Sequence, residues 1–234
     1  MPTIRILSAG AAQAVTEKLI EAYRRESGSE VLAAYGAVGA MKQRMADGEV
    51  VDVIILTRAM IEELAAAGAV HADSAIDLGT VGTGVAVRTG APAPAIANAA
   101  ALRETLLAAG TIVCPDPAIA TAGKIVTSLI DRLGIAEAVK ARLKFFPNGN
   151  AAMGWLAQSG GDSDLGITQV TEIKPDRRVA YGGPLPAEFQ MKAVYTAGVV
   201  ARSAHGALAR DFVARYAAPG TRALLEEAGY ELDR

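Results

Sequence analysis

Two apolar rhythms alternate along this chain. Ile4, Ile6 and Leu7 form a short branched run, the signal of a buried strand. Val15, Leu19, Ala22 and Tyr23 then recur at helical spacing. Between them lies Ser8-Ala9-Gly10, whose small residues permit a tight turn. The succession repeats. Residues 30–35 read as a strand, Gly36 to Ala40 as a second small-residue turn, and Met41 and Met45 mark a short helix stopped by Gly48. Residues 51–56 (VDVIIL) read as a strand apolar on both sides of its pleat, as in a parallel sheet covered by helices, and residues 59–67 as a third helix closed by Gly68. Such alternation predicts a parallel sheet with right-handed connections.

The pattern changes at residues 78–88, a long strand carrying Gly79, Gly82 and Gly84, followed by a Pro-rich linker over 89–94. Alternation then resumes: a helix over 98–109 with Asn98 as its N-cap, a strand over 111–114, helices over 121–133 and 136–143, a strand over 144–146, a turn at Pro147-Asn148-Gly149-Asn150, a helix over 151–157 and a strand over 164–169. Residues 175–186 are turn-rich. Residues 189–201 form a second long apolar run, and two helices over 205–217 and 221–228 close the chain. Two long strands bracketing an inserted block predict an α/β protein of two Rossmann-like lobes with a hinged cleft. Lobe 1 is 1–80 plus 191–234, and lobe 2 is 81–190.

In open α/β sheets ligands bind beyond the carboxyl ends of the strands. Here those ends are Ser8-Ala9-Gly10, the turn from Tyr35 through Ala37, Val38 and Gly39, then Thr57-Arg58, Thr121-Ala122-Gly123-Lys124, Asn148-Gly149-Asn150 and Thr168-Gln169. Most are small or neutral and polar, and several precede a helix. Backbone N–H groups and helix dipoles at such turns suit a small anion. Gln169 ends a buried strand, where a polar group needs a partner. Lys124 stands in a first helical turn, where a cation opposes the dipole. Arg58 is placed either to reach a carboxylate or to lie on the surface. No carboxylate or histidine sits at a predicted strand end.

Composition narrows the chemistry. The net charge is −2 with no basic block, so nucleic-acid binding lacks an electrostatic footprint. Cys114 is the single cysteine and His71 and His205 the two histidines, which argues against a metal centre or a His-based triad. The glycines of 78–88 lie inside a strand with no helix after them, so they are not a dinucleotide fingerprint, and no cofactor is expected. No apolar run is long enough for a membrane span, and the start of the sequence does not read as a secretory leader. As written, the chain is expected in the cytoplasm; with a leader removed it would be periplasmic and have an ABC permease as partner.

The opening Leu7-Ser8-Ala9-Gly10-Ala11, the segment YGAVGAMKQRMADGEVVDVIIL, Asp116-Pro117-Ala118 with Ala122-Gly123, and Asp164-Leu165-Gly166-Ile167-Thr168-Gln169 together resemble solute-binding proteins of type II periplasmic fold, in particular the molybdate-binding family. The resemblance covers nearly the whole chain. It implies an oxyanion held by a serine after strand one, a serine in the second turn, two backbone amides of lobe two and a tyrosine. Ser8 or Ala9 takes the first role, and Ala37, Val38 and Gly39 stand where the second serine belongs. Ala122 and Gly149 fit the amides, and Gln169 stands in place of the tyrosine. Two hydroxyl donors of the pattern are therefore absent, which favours an organic anion over molybdate. Aconitate isomerase, an enzyme on this scaffold, is similar in style. It implies an alternative reading as an isomerase of unsaturated di- or tricarboxylic acids, with Lys124 and Tyr35 as candidates for moving the proton and Arg58 as carboxylate anchor.

Overall fold

The structure, a computed structural model, describes residues 3–232. The chain divides into two compact units, Met1–Val81 with Ala193–Arg234 and Gly82–Lys192.

The first unit begins β1 (Thr3–Ala9), α1 (Gln13–Ser27), β2 (Glu30–Gly36), α2 (Val38–Ala46), β3 (Val53–Thr57), α3 (Arg58–Ala66) and β4 (Ile76–Val81). In the second unit follow β5 (Thr83–Arg88), α4 (Ala99–Ala108), β6 (Ile112–Pro115), α5 (Thr121–Arg132), α6 (Ala136–Val139), β7 (Leu143–Phe146), α7 (Gly149–Ser159), β8 (Leu165–Gln169), α8 (Val170–Ile173) and β9 (Val179–Pro184). The chain then returns to the first unit through β10 (Ala193–Val199), α9 (Gly206–Ala214) and α10 (Pro219–Ala228).

Each unit is built on a five-stranded sheet. The orders are β2-β1-β3-β10-β4 and β7-β6-β8-β5-β9. In the first unit Ile4, Ile6 and the run Val53 to Leu56 are buried among helices, which is why β3 carries apolar residues on both faces. Tyr23 of α1 packs edge-on against Phe212 of α9 with ring centroids 5.4 Å apart. The second unit packs Leu102, Leu106, Ile125, Leu129 and Ile130 of α4 and α5 against Val85, Ile112 and Ile167 of its sheet.

Three expectations need correction. The sheets are mixed, not wholly parallel. β10 runs antiparallel to β3 and β4, and β5 runs antiparallel to β8 and β9. In each unit the reversed strand is the one by which the chain enters from the other unit. Secondly, the long run 78–88 is not one strand. It breaks at Gly82, between β4 of the first sheet and β5 of the second. The Gly82 carbonyl accepts the Val170 N–H at 3.0 Å, and the Gln190 side chain takes both backbone groups of Thr83, accepting at 2.7 Å and donating at 2.9 Å. The second long run, 189–201, is likewise shortened to β10, with Phe189 in a single 3₁₀ turn. Thirdly, the turn-rich segment 175–186 contains a strand, β9. It is an edge strand paired only with β5, and its Gly182, Gly183 and Pro184 hide it from any propensity reading.

Candidate functional site

The carboxyl ends of β1, β2 and β3 come together in the first unit. β1 lies between its two neighbours, so Ser8 stands opposite Tyr35 on one side and Ile55 on the other. The Ser8 hydroxyl is buried and donates to the Ala9 carbonyl at 3.0 Å. The chain then leaves through one 3₁₀ turn, Gly10–Ala12, into α1 with no side-chain cap. Ala37 is the N-cap residue of α2, with Val38 and Gly39 in its first turn, and again no side chain caps the amides. Met41 N–H to the Ala37 carbonyl, at 3.0 Å, is the first helical bond. These two helix starts therefore direct backbone N–H groups outward from adjacent strands.

Tyr35 sits beside them. Its hydroxyl is buried with no hydrogen-bond partner, and burial, reinforced by Glu17 against the opposing Arg24, pushes its pKa well above the ordinary tyrosine value. At neutral pH it is a phenol donor, not a phenolate base. Next to it the Tyr216 hydroxyl and Thr16 Oγ1 lie 2.6 Å apart, and Thr16 donates to the Ala12 carbonyl at 2.7 Å. Arg58 opens α3 in a two-pronged pair with Asp77, Nε to Oδ1 at 3.2 Å, and Thr196 Oγ1 donates to the same carboxylate at 2.5 Å. Its guanidinium is thus engaged by an exposed carboxylate.

In the second unit β6 ends at Pro115 and a turn held by Asp116 leads to α5. The Ala120 N–H bonds the Asp116 carbonyl at 2.9 Å, and the Ala118 N–H bonds Asp116 Oδ1 at 2.8 Å. No side chain caps α5. Thr121, Ala122 and Gly123 form its first turn, Ala122 and Gly123 being buried and Lys124 exposed. Gly123 lets the helix start ride directly on the turn: a Cβ there would stand 2.3 Å from the Pro115 carbonyl oxygen. Cys114 on β6 is buried, and burial, with the Asp116 charge adding, pushes its thiol up to about 12, so it is not a nucleophile at neutral pH.

The start of α7 differs from those of α1, α2 and α5. Asn148 Oδ1 accepts the Ala151 N–H at 2.8 Å, and the Gly149 N–H donates to the carboxylate of Glu172. Glu172 is buried on α8, the third residue of a helix whose N-cap position is Gln169, and it also receives the Gln169 N–H, in the manner of a capping box. Thr168 Oγ1 donates to it at 2.6 Å. Burial pushes its pKa up to about 7, and the three hydrogen bonds only partly oppose this. A carboxylate therefore does sit at a strand end, contrary to expectation, and it occupies the Gly149 amide that the resemblance reserves for a ligand.

Beside it the Gln169 side chain is 3% exposed, with neither its oxygen nor its nitrogen hydrogen-bonded. The Thr83 and Thr171 hydroxyls share this condition, and Thr83 lies directly opposite Gln169 in the β5–β8 ladder. The sequence pointed to Gln169 but not to Thr83, Thr171 or Glu172. Leaving a buried polar group unpaired costs about 1–3 kcal/mol, so such clusters mark places built to meet something polar.

The family model of bacterial extracellular solute-binding proteins matches residues 4–231. The chain belongs to this family. Aconitate isomerase of a Pseudomonas species is 27% identical over 232 residues, 97% of this chain and 87% of that protein. Among solved structures, the periplasmic molybdate-binding protein of Azotobacter vinelandii is similar over 99% of this chain and 100% of its own, with a TM-score of 0.81 at 20% identity. The sulfate-binding protein of Mycobacterium tuberculosis is similar over 98% and 86%, with a TM-score of 0.72 at 22% identity. The two-unit α/β architecture of this solute-binding protein is thus that of the type II periplasmic binding fold. Among the described residues no helix is long and apolar enough to cross a membrane.

Proposed function

We propose that this solute-binding protein holds a small anion through backbone amides and neutral side chains. Ser8, Ala9, Gly10, Ala37, Val38 and Gly39 serve from the first unit. Thr121, Ala122, Asn148 and Gln169 serve from the second. The observation that carries the reading is the set of helix starts following β1, β2 and β6, none closed by a side-chain cap, beside a buried Gln169 amide with no protein partner. Gly149 contributes by shaping the α7 start, since its own N–H is spent on Glu172. Where the molybdate-binding pattern has two further hydroxyls this chain has Ala37 to Gly39 and Gln169, which favours a carboxylate ligand over a tetrahedral oxyanion. The family's extracellular description favours the periplasmic of the two expected locations, with an ABC permease receiving the ligand.

A panel of molybdate, sulfate, succinate and the two aconitate isomers tests this by thermal and chemical unfolding. At a hundredfold excess over its dissociation constant the true ligand stabilises by about 2.7 kcal/mol. The carboxylates are expected to outrank molybdate. Absence of stabilisation by every member contradicts the reading.

The likeness to aconitate isomerase favours a second reading, proton transfer along an unsaturated tricarboxylate. With the Tyr35 phenol held protonated, Lys124 is the remaining one of the two predicted proton carriers. Proton NMR of each aconitate isomer incubated with the protein separates the readings. Interconversion that Lys124→Ala abolishes supports the enzyme, and an unchanged but stabilising ligand supports the receptor.

A further inference from the structure

We propose that Glu172 couples anion binding to proton uptake: when an anion engages the turns at Asn148 and Gln169, the Glu172 carboxylate takes one proton from solvent onto a carboxyl oxygen. This rests on the anion-binding reading above and adds a proton to its stoichiometry.

The geometry is that of a negative charge already installed where a second one is to arrive. The carboxylate is held by Thr168 Oγ1 and by the N–H groups of Gly149 and Gln169, all neutral donors. Among the described residues no cation balances it. α7 and β8, which pack on α8, contain no titratable side chain. β5 contributes only Arg88, which is paired with Asp162. β9 contributes only Tyr181, whose ring lies 5.8 Å from the Lys174 ammonium just beyond α8. The ionised carboxyl thus rests on hydrogen bonds alone, against the cost of burial.

The Gln169 side-chain amide, buried and without a partner, belongs to the same residue whose N–H holds Glu172. A ligand that satisfies this amide is therefore separated from the carboxylate by the length of one side chain. A second negative charge near a buried carboxylate without a countercharge disfavours its ionised form. A fully ionised ligand has no proton to lose, so the carboxylate gains one: a new O–H forms on Glu172, and no bond to the ligand forms or breaks. The carboxyl stands at about 7 in the empty protein, so the proton is available at modest cost near neutrality. Its bound-state pKa is higher, and by linkage anion affinity falls as pH rises between the two values.

Calorimetric titration of the whole chain with each panel anion tests this at about pH 8, where every member is fully ionised, in two buffers of different ionisation enthalpy. The unmodified protein is expected to take up close to one proton per anion. Its dissociation constant is expected to rise by up to tenfold per pH unit above about 7. Glu172→Gln is expected to take up none and to show a flat profile. Thr168→Val, which removes a donor that favours the ionised form, is expected to move the onset of pH dependence upward, and it keeps the test decisive should Glu172→Gln not fold. Binding with no proton uptake and a flat profile in the unmodified protein overturns the coupling and leaves the anion reading standing. Failure of every panel anion to bind overturns both.

Discussion

Glu172→Gln is expected to gain about 3 kcal/mol of unfolding free energy relative to the unmodified protein as pH is raised from about 4 to about 8. The carboxyl's pKa is raised on folding, from an ordinary 4.5 to about 7, chiefly because it is buried. The stability it contributes is therefore fully present below 4.5 and is lost as pH rises through about 7. Each pKa unit is worth about 1.4 kcal/mol, which sets the size of the loss. Glutamine keeps the length and planar shape but has nothing to titrate, so its stability lacks this fall. Other carboxylates, such as the Asp77 beside Arg58, whose pKa the guanidinium and Thr196 hold below the usual range, titrate alike in both proteins and cancel in the difference. Urea titrations of the two proteins across this range measure it. Parallel profiles would mean that Glu172 is not held as a buried, uncompensated charge.

Gly123→Ala is expected to cost about 3 kcal/mol, the upper end of what overpacking does. The added methyl would stand 2.3 Å from the Pro115 carbonyl oxygen and 2.6 Å from the Pro117 nitrogen. Both are backbone atoms, one on the interior strand β6 and the other in a proline ring, so neither can swing aside as a flexible side chain would. The first turn of α5 must lift instead, carrying Thr121 and Ala122 with it, so anion affinity is expected to fall together with stability. Gly154→Ala, in the interior of α7 with open space around it, is the control. There helix propensity predicts a gain of about 0.5–1 kcal/mol. Chemical denaturation of the three proteins checks the contrast. Equal stability of the two alanine variants would remove the steric account of α5.

The same local signals that announce most elements are silent about the ones that were misread. Apolar periodicity marks β1, α1, β3 and α5 because each buries one face or both against the core, and burial is what periodicity records. Strand direction has no such trace. β5 and β10 read like the other strands, and only their place as the entering strands of each unit explains why they run backwards. β9 is an edge strand with two glycines and a proline, so it depends on the β5 ladder rather than on its own side chains. Among site residues, the turns following β1, β2 and β6 were legible because small residues before a helix start are visible as sequence. Glu172 was not. It lies on a four-residue helix too short to show a period, and its role depends on a contact with Gly149, more than twenty positions away. The available signal was its spacing: an acidic residue three positions after Gln169, as in a capping box, flanked by the apolar Ile173. Thr83 and Thr171 carry no signal, since a threonine in or beside a strand is ordinary.

If uncharged donors at these turns grip an anion, backbone amide shifts in an NMR titration report it residue by residue. Addition of the stabilising anion is predicted to move the resonances of Ser8 to Ala12, Val38 and Gly39, Thr121 to Gly123, and Gln169 together along one saturation curve. Saturable shifts confined to other surfaces, with these amides unmoved, would contradict it.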